Sequence, residues 1–136
     1  MVNKERIMTI IKDIERISKD FDNMNAKSLE DLKNTEKLYA VSMVLFSMTS
    51  RCIDLAEEIV SDKKLGFPEG YKDIFVLLEK AKIIDKSLFN DFSDFMRFRN
   101  AAAHEYYRFT SDYIFSVMKK VPSIHKFLHI VKKELK

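Results

Sequence analysis

Apolar residues recur at steps of three and four along nearly the whole chain, the spacing that gathers side chains on one face of an α-helix. Ile7, Ile10, Ile11, Ile14, Ile17 and Phe21 form the stripe of a first helix, which ends in the polar break Asp22-Asn23-Met24-Asn25. Ser28, with Asp31 three residues on, has the chemistry of an N-cap for the next helix. That second helix is the spine: Leu38, Val41, Leu45, Met48, Cys52, Leu55 and Ile59 alternate steps of three and four without a miss, a heptad seam. A second apolar set, Tyr39, Met43, Phe46, Ile53 and Val60, lies off the seam. A helix apolar on two faces needs two partners, either its own bundle on both sides or its bundle and a second subunit.

Leu65-Gly66-Phe67-Pro68-Glu69-Gly70 is a strong loop signal. A third helix follows with Ile74, Leu77, Leu78 and Ala81 inward. Asp85 caps a fourth, whose stripe is Leu88, Phe92, Phe95 and Ala102. Thr110 or Ser111 caps a fifth, with Ile114, Met118, Val121, Leu128, Val131 and Leu135 on one side and Pro122 placed to kink or divide it. No β-alternation or internal repeat interrupts this pattern. The expectation is an all-α antiparallel bundle of about five helices, one domain over residues 1–136.

Composition agrees. Only two glycines and two prolines punctuate 136 residues, and 46% of the chain is hydrophobic, enough to fill a core. The opening Met1-Val2-Asn3-Lys4-Glu5-Arg6 reads as a charged helix start rather than a signal peptide, and no apolar run is expected to reach the roughly 18 residues that span a bilayer. The single cysteine, Cys52, excludes an internal disulfide and any Cys-based zinc cluster, and its seam position makes it a core residue. A cytoplasmic protein with no membrane contact and no cofactor is the default. The net charge of +3 gathers late in the chain, at Lys119, Lys120, Lys126, Lys132, Lys133 and Lys136, which reads as a solvated face.

The chemistry concentrates in Arg99-Asn100-Ala101-Ala102-Ala103-His104-Glu105-Tyr106. A guanidinium holds phosphate with a planar fork of donors, and an imidazole moves protons near neutral pH. On a continuous helix Asn100 and His104 share a face, while Arg99 and His104 diverge by about 140° around the axis. One helix does not easily aim both at a single phosphate, so a composite cleft between two copies of the helix is the geometric suggestion.

This segment resembles the R-x4-6-H signature of the HEPN superfamily and, more narrowly, the R-x4-H-x-Y motif of HepT toxins. Arg99, His104 and Tyr106 fit that spacing without a gap, and Asn100 matches the polar residue often found after the arginine. The spine segment Cys52-Ile53-Asp54-Leu55-Ala56, the loop Gly66-Phe67-Pro68 and the run Lys82-Ile83-Ile84-Asp85 sit where family members have similar elements. The resemblance implies a homodimeric, metal-independent ribonuclease toxin, with Arg99, Asn100 and His104 catalytic in a cleft between subunits. It implies a minimal nucleotidyltransferase antitoxin (MntA-like) as partner, which silences the toxin by AMPylation of Tyr106, and RNA (tRNA or mRNA) as substrate.

In RNA the nucleophile is the 2′-hydroxyl, so the protein has only to move protons and stabilise charge. His104 suits proton transfer, Arg99 the non-bridging oxygens, and Asn100 the orientation of either. Arg97 and Arg108 flank the motif as steering groups for the RNA backbone or as ordinary surface arginines. His125 and His129, four apart, lack a third ligand nearby and carry no metal site in this reading. Asp54, Glu57 and Glu58 read as a solvated face, with Asp54 also placed for a dimer contact. Phe89, Phe92, Phe95 and Phe98 read as core. The alternative function is a non-catalytic nucleotide- or protein-binding module that pairs with a nucleotidyltransferase.

Overall fold

The computed structural model describes residues 4–104 and 109–135. Among these residues six α-helices follow one another: α1 Lys4–Asn23, α2 Thr35–Asp62, α3 Tyr71–Lys80, α4 Lys86–His104, α5 Ser111–Met118 and α6 Val121–Glu134. A 3-10 turn at Asp31–Lys33 precedes α2, and no strand occurs among the described residues. This is the expected all-α bundle, with the fifth helix divided in two. Pro122 sits in the first turn of α6, where its missing N–H costs nothing.

The caps explain the boundaries, and one of them moves. Ser28 and Asp31 do satisfy each other: the Asp31 N–H donates to Ser28 Oγ at 3.1 Å and the Ser28 N–H to Asp31 Oδ2 at 3.3 Å. They close the 3-10 turn, however, and not the spine helix. That turn drops fully buried Leu32 into the core, after which a new cap is needed. Asn34 supplies it, its Oδ1 accepting from the Lys37 N–H at 3.0 Å. Hydrogen bonds from Ser28 hold the Asp31 carboxyl below its ordinary value. Asp85 and Thr110 cap α4 and α5 as expected, accepting from the N–H groups of Leu88 at 2.8 Å and Tyr113 at 3.1 Å.

The spine is the centre of the molecule. Val41, Leu45, Met48, Cys52, Leu55 and Ile59 are all fully buried, and burial pushes the Cys52 thiol well above its usual range. The second apolar set divides. Ile53 and Val60 are buried within the chain, whereas Tyr39 is 55% and Met43 63% exposed. Thus α2 meets its own bundle on both sides near its C-terminus and leaves one side open near its N-terminus. Contrary to the sequence expectation, α2 is long and apolar enough to cross a membrane by length and composition, with a mean hydropathy of 1.3 over 18 residues. Its apolar seam faces other helices of the bundle.

Ion pairs record the antiparallel packing. Arg6 near the start of α1 pairs with Glu58 near the end of α2, and Arg51 Nε reaches Asp13 at 3.0 Å. Arg51 Nη1 also meets Asp54 at 2.9 Å. The bonds to Asp13 and Asp54 raise the Arg51 pKa above its ordinary value. Asp54 and Glu58 are therefore paired groups rather than a merely solvated face. Lys132 of α6 meets Glu15 of α1 at 2.8 Å.

Phe75, Phe92 and Phe127 join α3, α4 and α6: Phe75 stacks on Phe92 with centroids 4.7 Å apart, and Phe127 meets Phe92 edge-on at 5.0 Å. Phe75 was not in the expected inward set of α3, and Ala81 was. Ala81 is exposed because α3 ends at Lys80, and the chain then turns through Lys82 at φ 61°. The Ile83 N–H returns to the Leu78 carbonyl at 3.0 Å and that of Lys82 to Glu79 at 2.9 Å, a Schellman closure that carries Ile84 into the core. Lys64, at φ 53°, closes α2 in the same way.

Phe92→Ala is expected to cost about 3–5 kcal/mol, against about 1 kcal/mol or less for Arg51→Ala, whose ion pairs are partly solvated; urea unfolding followed by circular dichroism compares them. Lys82→Gly relieves a left-handed lysine and is expected to raise the urea midpoint by the equivalent of about 1 kcal/mol.

Candidate functional site

The end of α4 carries the sequence motif, and core packing sets its orientation. Leu88, Phe89, Phe92, Phe95, Met96 and Phe98 are buried, so the polar positions between and after them are confined to the remaining azimuth of the helix. Arg99 follows Phe98 by about 100° and emerges between α2 and α3. There its guanidinium carbon lies 5.7 Å from the ring centroid of Phe46 and 4.8 Å from that of Tyr71. Its Nε is buried with no hydrogen-bond partner. Among the described residues Arg99 makes no ion pair, in contrast to Arg97, whose Nη1 meets Asp94 Oδ1 at 3.0 Å. Asp94 is shared further with Lys120. An arginine flanked by two rings, with no carboxylate partner among the described residues, keeps its charge un-neutralised by them.

Asn100 and Arg97 are both exposed and line one pocket of about 310 Å³ with Tyr71, Lys72, Ser93 and Met96. Arg99 touches this pocket through the Tyr71 ring that forms its wall. His104 is exposed in the last turn of α4 and is not among the residues lining that pocket. Because α4 runs unbroken from Lys86 to His104, Arg99 and His104 are separated by about 140° around the axis and about 7.5 Å along it. The structure thus groups Arg97, Asn100 and, through Tyr71, Arg99, and it leaves His104 apart within one chain. Tyr106 and Arg108 lie outside the described residues.

Ala102 has a different setting. With Tyr39, Ser42, Met43, Phe46 and Phe109 it lines an apolar pocket of about 300 Å³ on the open side of α2. Phe109 stacks on Phe98 at 5.5 Å, bringing the chain back against α4 after the motif. Between α1 and α6, His125 Nε2 is 3.2 Å from the buried Ser18 hydroxyl, and both His125 and His129 line a polar pocket with Glu15, Asp22 and Lys132. No group of three or more His, Cys, Asp or Glu among the described residues is placed to hold a metal ion.

Sequence reasoning missed Tyr71 and Lys72. They begin α3, almost thirty positions before the motif, and no spacing along the chain signals their approach to Arg99. Only the exposed aromatic at a helix start gave a trace, and exposure is itself a tertiary property.

Comparisons with known proteins agree with this architecture. The mRNA nuclease HepT of Shewanella oneidensis is 29% identical over 84 residues, covering 61% of this chain; the chain spans 63% of the length of that relative. YutE of Bacillus subtilis, a cytosolic protein of unknown function, superposes with a TM-score of 0.85 over 98% of this chain and 90% of its own, at 14% identity. A tri-AMPylated Shewanella oneidensis HEPN toxin, solved in complex with an MNT antitoxin, gives a TM-score of 0.74 at 24% identity over 95% of both chains. A mutant MntA-HpeT toxin–antitoxin structure gives 0.81 at 22% identity, over 93% of this chain and 98% of that one. The fold is that of HEPN toxins. The profile of the family described as "Ribonuclease HepT-like" matches residues 7–131, and the chain belongs to that family.

Proposed function

We propose that this protein is the toxin of a toxin–antitoxin pair, a metal-independent endoribonuclease that acts as a homodimer in the cytoplasm. The observation that carries the reading is the state of Arg99: a guanidinium held between Phe46 and Tyr71, unpaired among the described residues, on the same helix as an exposed imidazole. Within one chain the two side chains leave α4 in different directions. A two-fold copy of α4 placed against the open side of α2, where Tyr39 and Met43 are exposed, brings an arginine and a histidine of different subunits toward one groove.

In that groove the 2′-hydroxyl attacks the adjacent phosphorus. The 2′-oxygen–phosphorus bond forms, the bond from phosphorus to the 5′-oxygen breaks, and a cyclic phosphate and a 5′-hydroxyl result. His104 takes the 2′ proton, the departing 5′-oxygen takes one from solvent water, Arg99 binds the non-bridging oxygens as their charge grows, and Asn100, one turn before His104, orients the phosphate or the ring. Arg97 and Arg108 steer the backbone. The name of the curated relative, an mRNA nuclease, supports RNA as the substrate class. The AMPylated neighbour bound to its antitoxin supports a nucleotidyltransferase partner that modifies Tyr106. An adenylyl group there sets a bulky anion two residues from His104 and within the arginine's field.

A non-catalytic nucleotide-binding module is the second reading, favoured by one observation: His104 stands apart from the pocket that Asn100 and Arg97 line. Titration with AMP before any cleavage assay separates the two.

Purified protein is expected to cut RNA in EDTA and leave DNA intact, because DNA lacks the 2′-hydroxyl. His104→Ala and Arg99→Ala should each lower the rate by at least about 10²-fold with unchanged circular dichroism. Full activity in His104→Ala overturns the mechanism. Co-expression with a cognate nucleotidyltransferase should add adenylyl groups in intact-mass spectra that map to Tyr106. An unmodified mass with a competent partner and ATP would remove the silencing step.

A further inference from the structure

The pocket beside Arg99 has a composition of its own. It is walled by a flat ring (Tyr71), a thioether (Met96), a hydroxyl (Ser93), an amide (Asn100) and two cations (Lys72 and Arg97), and among the described residues no carboxylate lines it. The acids nearest in sequence already have partners, one of them the pocket's own exposed Arg97, which meets Asp94 through Nη1 and keeps its other donors. Asp94 takes Arg97 and Lys120, and Asp73 accepts the Glu69 N–H at 3.1 Å. At about 310 Å³ the pocket falls in the size class of small-ligand sites.

Tyr71 is the unusual member. It is 43% exposed, although aromatic rings at a helix start are free to fold inward. Part of its ring is taken by the Arg99 guanidinium at 4.8 Å, and its remaining surface lines the pocket. A ring held in place by a guanidinium on one side and open on another is a stacking platform. Bases stack on such rings with little regard to sequence, and only unpaired bases do so.

We propose that this pocket is a nucleotide subsite for single-stranded RNA, in which one unpaired base stacks on Tyr71 while Lys72 and Arg97 hold the flanking phosphate. The proposal rests on the ribonuclease reading and says where the strand lies relative to Arg99. Base, phenol ring and guanidinium then form one continuous stack from the pocket to Phe46. A filled subsite sets the register of the strand, so that the phosphate reaching Arg99 belongs to a neighbouring nucleotide. Lys72 and Arg97 act as backbone cations, and Asn100 offers the donor and acceptor of an amide to a base edge.

The test uses the full chain and an uncleavable 2′-O-methyl oligoribonucleotide that carries one 2-aminopurine. The protein contains no tryptophan, so the emission of that base reports its own stacking. Quenching is expected on binding to the wild type and to Tyr71→Phe. Tyr71→Leu should abolish the quench and weaken binding about tenfold, and Lys72→Ala should flatten the salt dependence by about one phosphate contact. A duplex of the same sequence should show no quench. Tyr71→Leu that is folded by circular dichroism yet keeps both quench and affinity overturns the proposal. Should Tyr71→Leu unfold, the surface pair Lys72→Ala and Arg97→Ala decides instead, since unchanged affinity and salt slope in both overturn it equally. Quench displaced by AMP at an affinity matching the strand's overturns the assignment to RNA and makes the site one for a free nucleotide. Cleavage of ordinary RNA is read in parallel. Activity without quench removes the subsite alone, and quench without activity removes the nuclease reading alone.

Discussion

Burial of the α2 seam is the constraint from which the remaining geometry follows. Six consecutive seam residues, from Val41 to Ile59, have no solvent contact, and α1, α3, α4, α5 and the 3-10 turn all pack on this one helix. A central helix fixes the azimuth of each neighbour, because every neighbour must turn its own apolar stripe toward it. For α4 that means Phe92, Phe95 and Phe98 inward. Once they are placed, Arg99 has little choice: it comes out at the boundary of α2 and α3, against Phe46 and Tyr71. The placement of Arg99 is thus a by-product of core packing.

Electrostatics sorts the surface into two kinds of cation. Arg6, Arg51, Lys63 and Lys132 each meet a carboxylate on another helix. Such partly solvated pairs contribute little energy individually, but those of Arg6, Arg51 and Lys132 agree on one antiparallel register. Arg99 is different, since its neighbours are rings. Cation–π contact offsets part of the desolvation of the guanidinium without neutralising it.

The unevenness of α2 has a functional side. Ile53 and Val60 complete the core, whereas Tyr39 and Met43, one helical stripe nearer the N-terminus, stand exposed beside a 300 Å³ apolar pocket that also includes Ala102. The apolar surface left uncovered therefore borders the motif helix.

The seam, the stripe of α4, the caps at Asp85 and Thr110 and the division near Pro122 were all legible in the residues, because each depends on neighbours within about one helical turn. The Arg99–Asn100–His104 spacing was legible for the same reason, including the angular divergence of arginine and histidine. What the chain alone did not disclose depends on contacts between distant segments. Ser28 reads as a helix cap until Leu32 is seen to need the core. Glu58 reads as solvated until Arg6 arrives from α1. Ala81 reads as inward until Lys82 turns the backbone left-handed. No spacing along the chain links Tyr71 to Arg99, and the two meet only because α3 and α4 are packed side by side. Sequence alone determined which residues form helices and which faces are apolar, since periodicity is a short-range property of the backbone. Tertiary structure decided which polar groups meet, since that follows from how whole helices rotate to satisfy one shared core.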